Sequence, residues 1–195
     1  MPPATTLQPV ELNADELRSL LVKSLSARGP QVVWVDAGDE VVVDLDATRV
    51  ALTPGMVLVG LSLTTDAHAH ATVSVPVAIG TPERITGLHA VTPRVPEGPV
   101  DLVTRWGRSV VAAVWGALVD VVEAMAGAVG EDLDGAPLAP AAIVTDGKTF
   151  GVVPQARPTR EQAMTTPEKD DGRKPKGRPT RPEPRDADPY RPKGR

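Results

Sequence analysis

The sequence predicts an α+β fold, a mostly antiparallel meander of five or six strands packed with two main helices and followed by a β-hairpin. Three observations support this prediction. Several short Val-rich segments alternate apolar and polar residues and are separated by turn residues. Two segments, after Asn13 and after Pro99, repeat apolar residues with a helical period. Charge and proline content change sharply near the end of the chain, so we assign one domain to residues 11–154 and disordered ends to residues 1–10 and 155–195.

The first helix carries clear start signals. Asn13 is a favoured N-cap residue, and Glu16 stands three residues later, which is the spacing of a capping box. Four leucines then share one face: Leu17, Leu20, Leu21 and Leu25. Gly29 and Pro30 are predicted to end the helix. Because only one face is apolar, we expect this helix to lie on the face of a sheet.

The strands of the meander are predicted from alternation and from the turn residues between them. They are assigned to residues 31–36, 40–45, 48–52, 56–65 and 70–79. Asp46-Ala47 is interpreted as a tight connection between the second and third strands, and Pro54-Gly55 as a type II turn. Pro76 cannot donate a hydrogen bond to a ladder, so the fifth strand is expected at an edge or at a bulge.

The second helix, predicted from about residue 101 to Val129, is apolar over most of its surface. It has one narrow stripe of polar and small residues, formed by Arg105, Arg108, Ala112, Gly116, Asp120 and Glu123. Such a helix must be buried on most sides. One short first helix is not expected to cover it, which favours a protein partner or self-association, with cover by the sheet as the alternative. Trp106 is predicted to be a partly exposed interaction anchor, and Trp115 a core residue.

Smaller strand segments are predicted on either side of the second helix. A short strand is assigned near residues 88–91. A terminal hairpin is assigned to residues 141–145 and 148–153, because Asp146-Gly147 between β-branched runs favours a two-residue type I′ turn.

The chain divides into an acidic body and a basic tail. Residues 155–195 contain 12 Lys and Arg, 7 Asp and Glu and 8 Pro, whereas the preceding residues contain 9 Lys and Arg against 18 Asp and Glu. Such a tail buries too little apolar surface to offset the entropy of ordering it. Its candidate interaction residues are Arg173, Lys174, Lys176, Arg178, Arg181 and Arg185. The tail has four alternative roles. It is an arm that binds an acidic protein, a segment that makes weak non-specific contact with nucleic acid, a segment that folds back onto the body, or a terminus that only aids solubility.

Composition argues against several classes of protein. The absence of cysteine excludes a disulfide scaffold, a thiolate nucleophile and a Cys-ligated metal site. No apolar run approaches about 18 residues, so no membrane span is expected. The first residues show no signal-peptide pattern, so a cytoplasmic location is predicted. Glycine-rich phosphate-binding motifs and a serine nucleophile elbow are missing, and no cofactor is predicted.

One short string has the form of a catalytic motif. Val41-Val42-Val43-Asp44-Leu45-Asp46-Ala47-Thr48 places two carboxylates two residues apart at the end of an apolar strand. It resembles the first motif of haloacid-dehalogenase-type phosphohydrolases. The resemblance implies Mg²⁺-dependent phosphoryl chemistry, with Asp44 as nucleophile and Asp46 as acid/base, on a parallel sheet with alternating helices. The lysine and acidic pair of that family do not follow in its order, and Asp-x-Asp is also common at turns, where Asp bonds its own backbone.

His68 and His70 form a second candidate site. Histidines at positions i and i+2 of a strand share one face and can ligate one metal ion together. Asp66 is adjacent in sequence, and His89 is the remaining histidine. Surface turn residues are the alternative interpretation, because a metal site needs third and fourth ligands that are held in place.

Taken together, the residues favour a non-catalytic protein that binds other proteins, as an assembly, adaptor or structural subunit. Its partner is expected to be another protein or a second copy of the chain, and its docking surface the second helix or a sheet edge. Five acidic residues at the ends of the first strands form either a solvated rim or a surface for a basic partner: Asp36, Asp39, Glu40, Asp44 and Asp46. The Mg²⁺-dependent phosphohydrolase and a nucleic-acid-associated protein are the alternative functions.

Overall fold

The structure, a computed structural model, describes residues 9–27, 32–131 and 135–156. Its elements are β1 (Val10–Asn13), α1 (Ala14–Ser26), β2 (Val32–Asp36), β3 (Asp39–Thr53), β4 (Met56–Thr64), β5 (Ala71–Ala78), a 3-10 turn (Leu88–Ala90), β6 (Thr92–Pro93), α2 (Val100–Val129), β7 (Ala139–Thr145) and β8 (Thr149–Gln155). Three predictions lie outside the described residues: disorder at residues 1–8, the helix end at Gly29-Pro30, and the tail from residue 157.

Two antiparallel sheets organise the chain. Five strands pair in the order β2-β3-β4-β5-β6, and three pair in the order β1-β8-β7. The first sheet is the predicted meander and the second contains the predicted terminal hairpin, so the α+β class is confirmed. The sheets meet at Gly80, whose N–H donates to the Ile143 carbonyl (3.0 Å) and whose carbonyl accepts from the Thr145 N–H (3.0 Å).

The core is built mainly from aliphatic side chains, since the chain contains only 3 Trp, 1 Tyr and 1 Phe. Alternate residues of β4 and β5 are fully buried: Val57, Val59, Leu61, Leu63, Val73, Val75 and Val77. Leu17, Leu21 and Leu25 of α1 join the same core cluster, together with one long stripe of α2 and Phe150 of β8. Burial of this apolar surface is the main contribution to the stability of the fold.

The capping box of α1 is confirmed. The Asn13 side chain accepts hydrogen bonds from the N–H groups of Asp15 (2.9 Å) and Glu16 (3.0 Å). The Glu16 carboxylate in turn accepts from the Asn13 N–H (2.9 Å). Because its apolar face is narrow, α1 packs with that face against β3 and α2.

The second and third predicted strands are one strand, β3, and the tight connection at Asp46-Ala47 was wrong. Asp44 pairs with Ser62 and Arg49 with Gly60, so four residues of β3 lie opposite one residue of β4. The chain therefore continues in the same direction after a bulge instead of reversing.

Four smaller expectations also changed. Leu88–Ala90 form a 3-10 turn where a strand was predicted at residues 88–91. Three residues, 146–148, join β7 to β8, and the pair nearest the turn is Thr145 with Phe150, so the predicted two-residue type I′ turn was wrong. β5 is followed by the two-residue β6, which takes the edge that Pro76 predicted for β5. Val10–Asn13 form a strand that the sequence did not predict, and they pair with residues 149–152 of β8.

The second helix is confirmed, but it is better covered than expected. α1, β5, β7 and β8 all pack against α2. The predicted stripe is the exposed side of the helix, except that Gly116 is half-buried. α2 is also long enough and apolar enough to cross a membrane, although no membrane span was expected from the length of the apolar runs. The core helix of a soluble protein has the same length and composition. In the most apolar 18 residues of α2, 50% is buried inside the protein.

Candidate functional site

The free edge of the large sheet belongs to β2. Among the described residues, β3 is the only strand that pairs with it. A two-residue turn joins the two strands, and Ala37 (φ 49°) and Gly38 (φ 89°) both have the positive φ that a type I′ turn requires. The pair that closes such a hairpin is hydrogen-bonded, and the pairs alternate from there. The backbone N–H and C=O groups of Val33 and Val35 therefore point away from β3.

The side chains along this edge leave apolar surface uncovered. Val35 is 69% exposed and Val33 is 39% exposed, while Trp34 packs partly against the core. An outer strand with free backbone groups and exposed β-branched side chains is a template for pairing with another strand. A sheet edge was predicted from the sequence as a docking surface, but it was assigned to the fifth strand, near the opposite edge of the sheet.

Arg105 on α2 holds the end of this hairpin in place. Its guanidinium donates to the carboxylate of Asp36 (Nε to Oδ2, 3.3 Å), to the carboxylate of Asp39 and to the backbone carbonyl of Asp36. The same guanidinium lies 5.4 Å from the centroid of the Trp106 ring, within the range of a cation–π contact. The β2–β3 turn is therefore fastened to the first turns of α2.

A polar cleft of about 290 Å³ opens beside Arg105, and its walls include Asp39, Glu40, Asp66 and Asp101. His68 Nε2 lies 2.6 Å from Asp101 Oδ2. This hydrogen bond is the largest cause that lowers the pKa of Asp101, so the carboxylate is held in its charged form. The cleft thus presents negative charge near one end of the free edge.

Asp44 and Asp46, the two residues of the phosphohydrolase resemblance, lie in the bulge of β3. Asp44 Oδ1 accepts hydrogen bonds from the N–H groups of Asp46 (3.1 Å) and Ala47 (3.3 Å). This is the turn chemistry that the sequence offered as the alternative interpretation. The surrounding sheet is antiparallel, whereas the resemblance implied a parallel sheet. The geometry therefore gives Asp44 a structural role in the bulge.

His68 and His70 contact different carboxylates. His68 is bound to Asp101, whereas His70 Nδ1 lies 3.6 Å from Asp44 Oδ2. Strand alternation does not apply to the pair, because β5 begins at Ala71 and His70 has a positive φ of 57°. In the described part of the chain, no group of three or more potential ligands is placed to hold a metal ion. The structure does not bring the two histidines together as a shared site.

Trp106 is a correction to the sequence analysis. It is 4% exposed and belongs to the core, because the helix turns it inward beneath the Arg105 guanidinium. A partly exposed anchor was expected there. The half-exposed tryptophan of α2 is Trp115, which lines a small apolar depression with Leu88 and Pro140.

The acidic residues that the sequence grouped together are divided between two places. Asp36 and Asp39 bind Arg105, whereas Asp44 and Asp46 lie in the bulge. The six basic candidate interaction residues of the tail, from Arg173 to Arg185, lie outside the described residues. Comparisons of the chain with protein-family models, with curated proteins and with solved structures found no match.

Proposed function

We propose that this protein is a non-catalytic binding protein, an assembly, adaptor or structural subunit, that receives an extended segment of a protein partner at the free edge of β2. The observation that carries the proposal is the pair Val33 and Val35, whose exposed side chains stand beside outward-facing backbone groups. A strand added there gains ladder hydrogen bonds from the backbone and apolar contact from the side chains.

The Arg105 contacts support the proposal because they order the edge before a partner arrives. A hairpin fastened to α2 loses less conformational freedom on binding than a free hairpin does. The receiving strand is therefore already ordered in the free protein, so less conformational entropy is lost on binding and the affinity is higher.

Charge defines the partner further. The cleft with Glu40, Asp66 and Asp101 lies near the β2–β3 turn, so a partner segment with Lys or Arg at that end meets opposite charge. The basic tail, including Arg173–Arg185, acts in this proposal as a tether for an acidic surface elsewhere on the partner. In this proposal the protein is cytoplasmic and needs no cofactor, and α2 is its core helix.

The alternative binding partner at the free edge of β2 is a second copy of the chain, which pairs its own β2 across a two-fold axis.

The test compares Val35→Lys, which puts a charge on the free edge, with Val95→Lys, which charges an equally open valine (78% exposed) elsewhere. The full-length proteins are purified from the native host at low salt, and the mass and composition of the complex are measured. We expect wild type and Val95→Lys to carry a stoichiometric partner or to dimerise, and Val35→Lys to lose it.

Val35→Pro gives a second, independent change, because it removes one outward N–H while leaving the β2–β3 ladder intact. It should weaken the same complex, with an unchanged circular dichroism spectrum as the folding control. A wild-type monomer without any stoichiometric partner would contradict the proposal, and so would a complex that both Val35 variants retain.

A further inference from the structure

A second surface, unrelated to β2, lies on the polar face of the large sheet. There a groove of about 570 Å³ runs between the first turns of α1 and strands β3 to β5. Its lining residues include Arg18, Arg49, Gly60, Thr72 and Ser74. We call it the Arg49 groove.

The strand register explains why the groove is open. Arg49, Gly60 and Ser74 are direct neighbours across three strands, so they share one face of the sheet. Gly60 has no side chain to fill the middle of that row. A Cβ atom added there would lie 3.3 Å from Ser74 Oγ and 3.1 Å from Thr72 Cγ2. The glycine thus leaves a floor of backbone beneath one guanidinium and two hydroxyl-bearing side chains.

The charge of the groove is positive within an acidic body. Across the described ranges 9–27, 32–131 and 135–156, Arg49 makes no ion pair or side-chain hydrogen bond. Arg18 is held by the carbonyls of Thr48 (Nε to O, 2.6 Å) and Asp46, so backbone contacts fix its position without neutralising its charge. Asp15 is the acidic residue of the groove wall. Two cations against one anion favour an anionic ligand.

We propose that the Arg49 groove binds a phosphoryl group carried by a small organic molecule. Arg49 and Arg18 supply the charge, and the hydroxyls of Ser74 and Thr72 supply further donors. A phosphoryl group has three terminal oxygens to accept these bonds, whereas a carboxylate has two. The groove is also much larger than a phosphate ion, which leaves space for the organic part of the ligand beside Ala51 and Leu58.

The test titrates the full-length protein, at low ionic strength, with inorganic phosphate, glycerol 3-phosphate and acetate while amide chemical shifts are followed by NMR. We expect saturable shifts at Gly60 and Ser74 with glycerol 3-phosphate at or below about 10 mM. Arg49→Gln should weaken this binding about tenfold or more, because a charge-assisted hydrogen bond is lost. Arg84→Gln removes an exposed arginine outside the groove and should leave binding unchanged.

Each further outcome decides the matter. Saturable binding of inorganic phosphate at the same residues would identify free phosphate as a second source of the same chemistry and would support the groove. Equal losses in Arg49→Gln and Arg84→Gln, no saturable shift with either phosphate, or acetate binding as tight as glycerol 3-phosphate would each overturn the proposal. Ser74→Ala, a small change on the polar face, should also weaken binding while the thermal midpoint stays the same, which separates loss of the site from loss of the fold.

Discussion

Asp146 orders the whole connection between β7 and β8 with one carboxylate oxygen. Its Oδ1 accepts from the N–H groups of Lys148 (2.7 Å) and Thr149 (2.8 Å). These backbone hydrogen bonds, that of Thr149 first, lower the pKa of Asp146 from its ordinary value of 3.8. They accompany the longer connection that stands in place of the two-residue turn predicted at Asp146-Gly147.

A lowered pKa predicts how this residue contributes to stability at different pH values. The charged form contributes fully above the unfolded-state value of 3.8, and the contribution is lost as pH falls through the lower folded-state pKa. We therefore expect the difference in unfolding free energy between wild type and Asp146→Asn to be largest near neutral pH and to shrink below pH 3.8. Urea titrations at about pH 6 and about pH 3 measure it. A difference that stays the same at both pH values would contradict the assignment.

Elements with local signals were predictable from the sequence. The capping box at Asn13 and the apolar repeat after Pro99 placed both helices, and strict alternation placed β4 and β5. The bulge in β3 was not predictable. Nothing in the sequence near Asp44 shows that four residues of β3 will lie opposite one residue of β4. Strand β1 is only four residues long and is defined by its pairing with β8.

The candidate sites were less predictable for the same reason. Which strand becomes the free edge is decided by the whole sheet, so Val33 and Val35 carried no signal of their own. Arg49 lies beside Gly60 and Ser74 because the bulge shifts the register by three residues. Strict alternation counted through Asp46 does not place Arg49 beside Gly60 and Ser74, so the Arg49 groove could not be predicted from the sequence. Trp106 was misplaced because a tryptophan next to an arginine in a helix suits both a core and a surface.

The helix α2 provides a test at the level of elements. Leu118 is 1% exposed and Ala112 is exposed on the predicted stripe. We expect Leu118→Ala to lower the unfolding free energy by about 2–5 kcal/mol, because it leaves a cavity. Ala112→Gln should change it by no more than about 0.5 kcal/mol. Urea denaturation of the two variants checks this, and similar small losses in both would show that α2 is not packed as described.

At the scale of the molecule, the described elements lie in the acidic body, except that β8 ends at Gln155, the first residue of the predicted tail. A chain truncated after Ala156 is therefore expected to keep the wild-type circular dichroism spectrum and unfolding midpoint. If the tail tethers a partner, the truncation should weaken association most at low salt, because screening already removes that attraction at high salt. A full-length variant with Gln at the six basic positions from Arg173 to Arg185 separates charge from length. Unchanged association at every salt concentration would remove the tail from the mechanism.

The pairing of β1 with β8 has a consequence for how the protein is made. Val10 stands opposite Val152, so β1, the first of the described strands to be synthesised, cannot pair until β8, the last of them, has left the ribosome. Contacts between residues so far apart in sequence form slowly, since a long loop must close before they stabilise anything. The five-stranded meander and α2 are synthesised before that closure is possible. The three-stranded sheet is therefore expected to assemble as the final step of folding, after synthesis has passed residue 155.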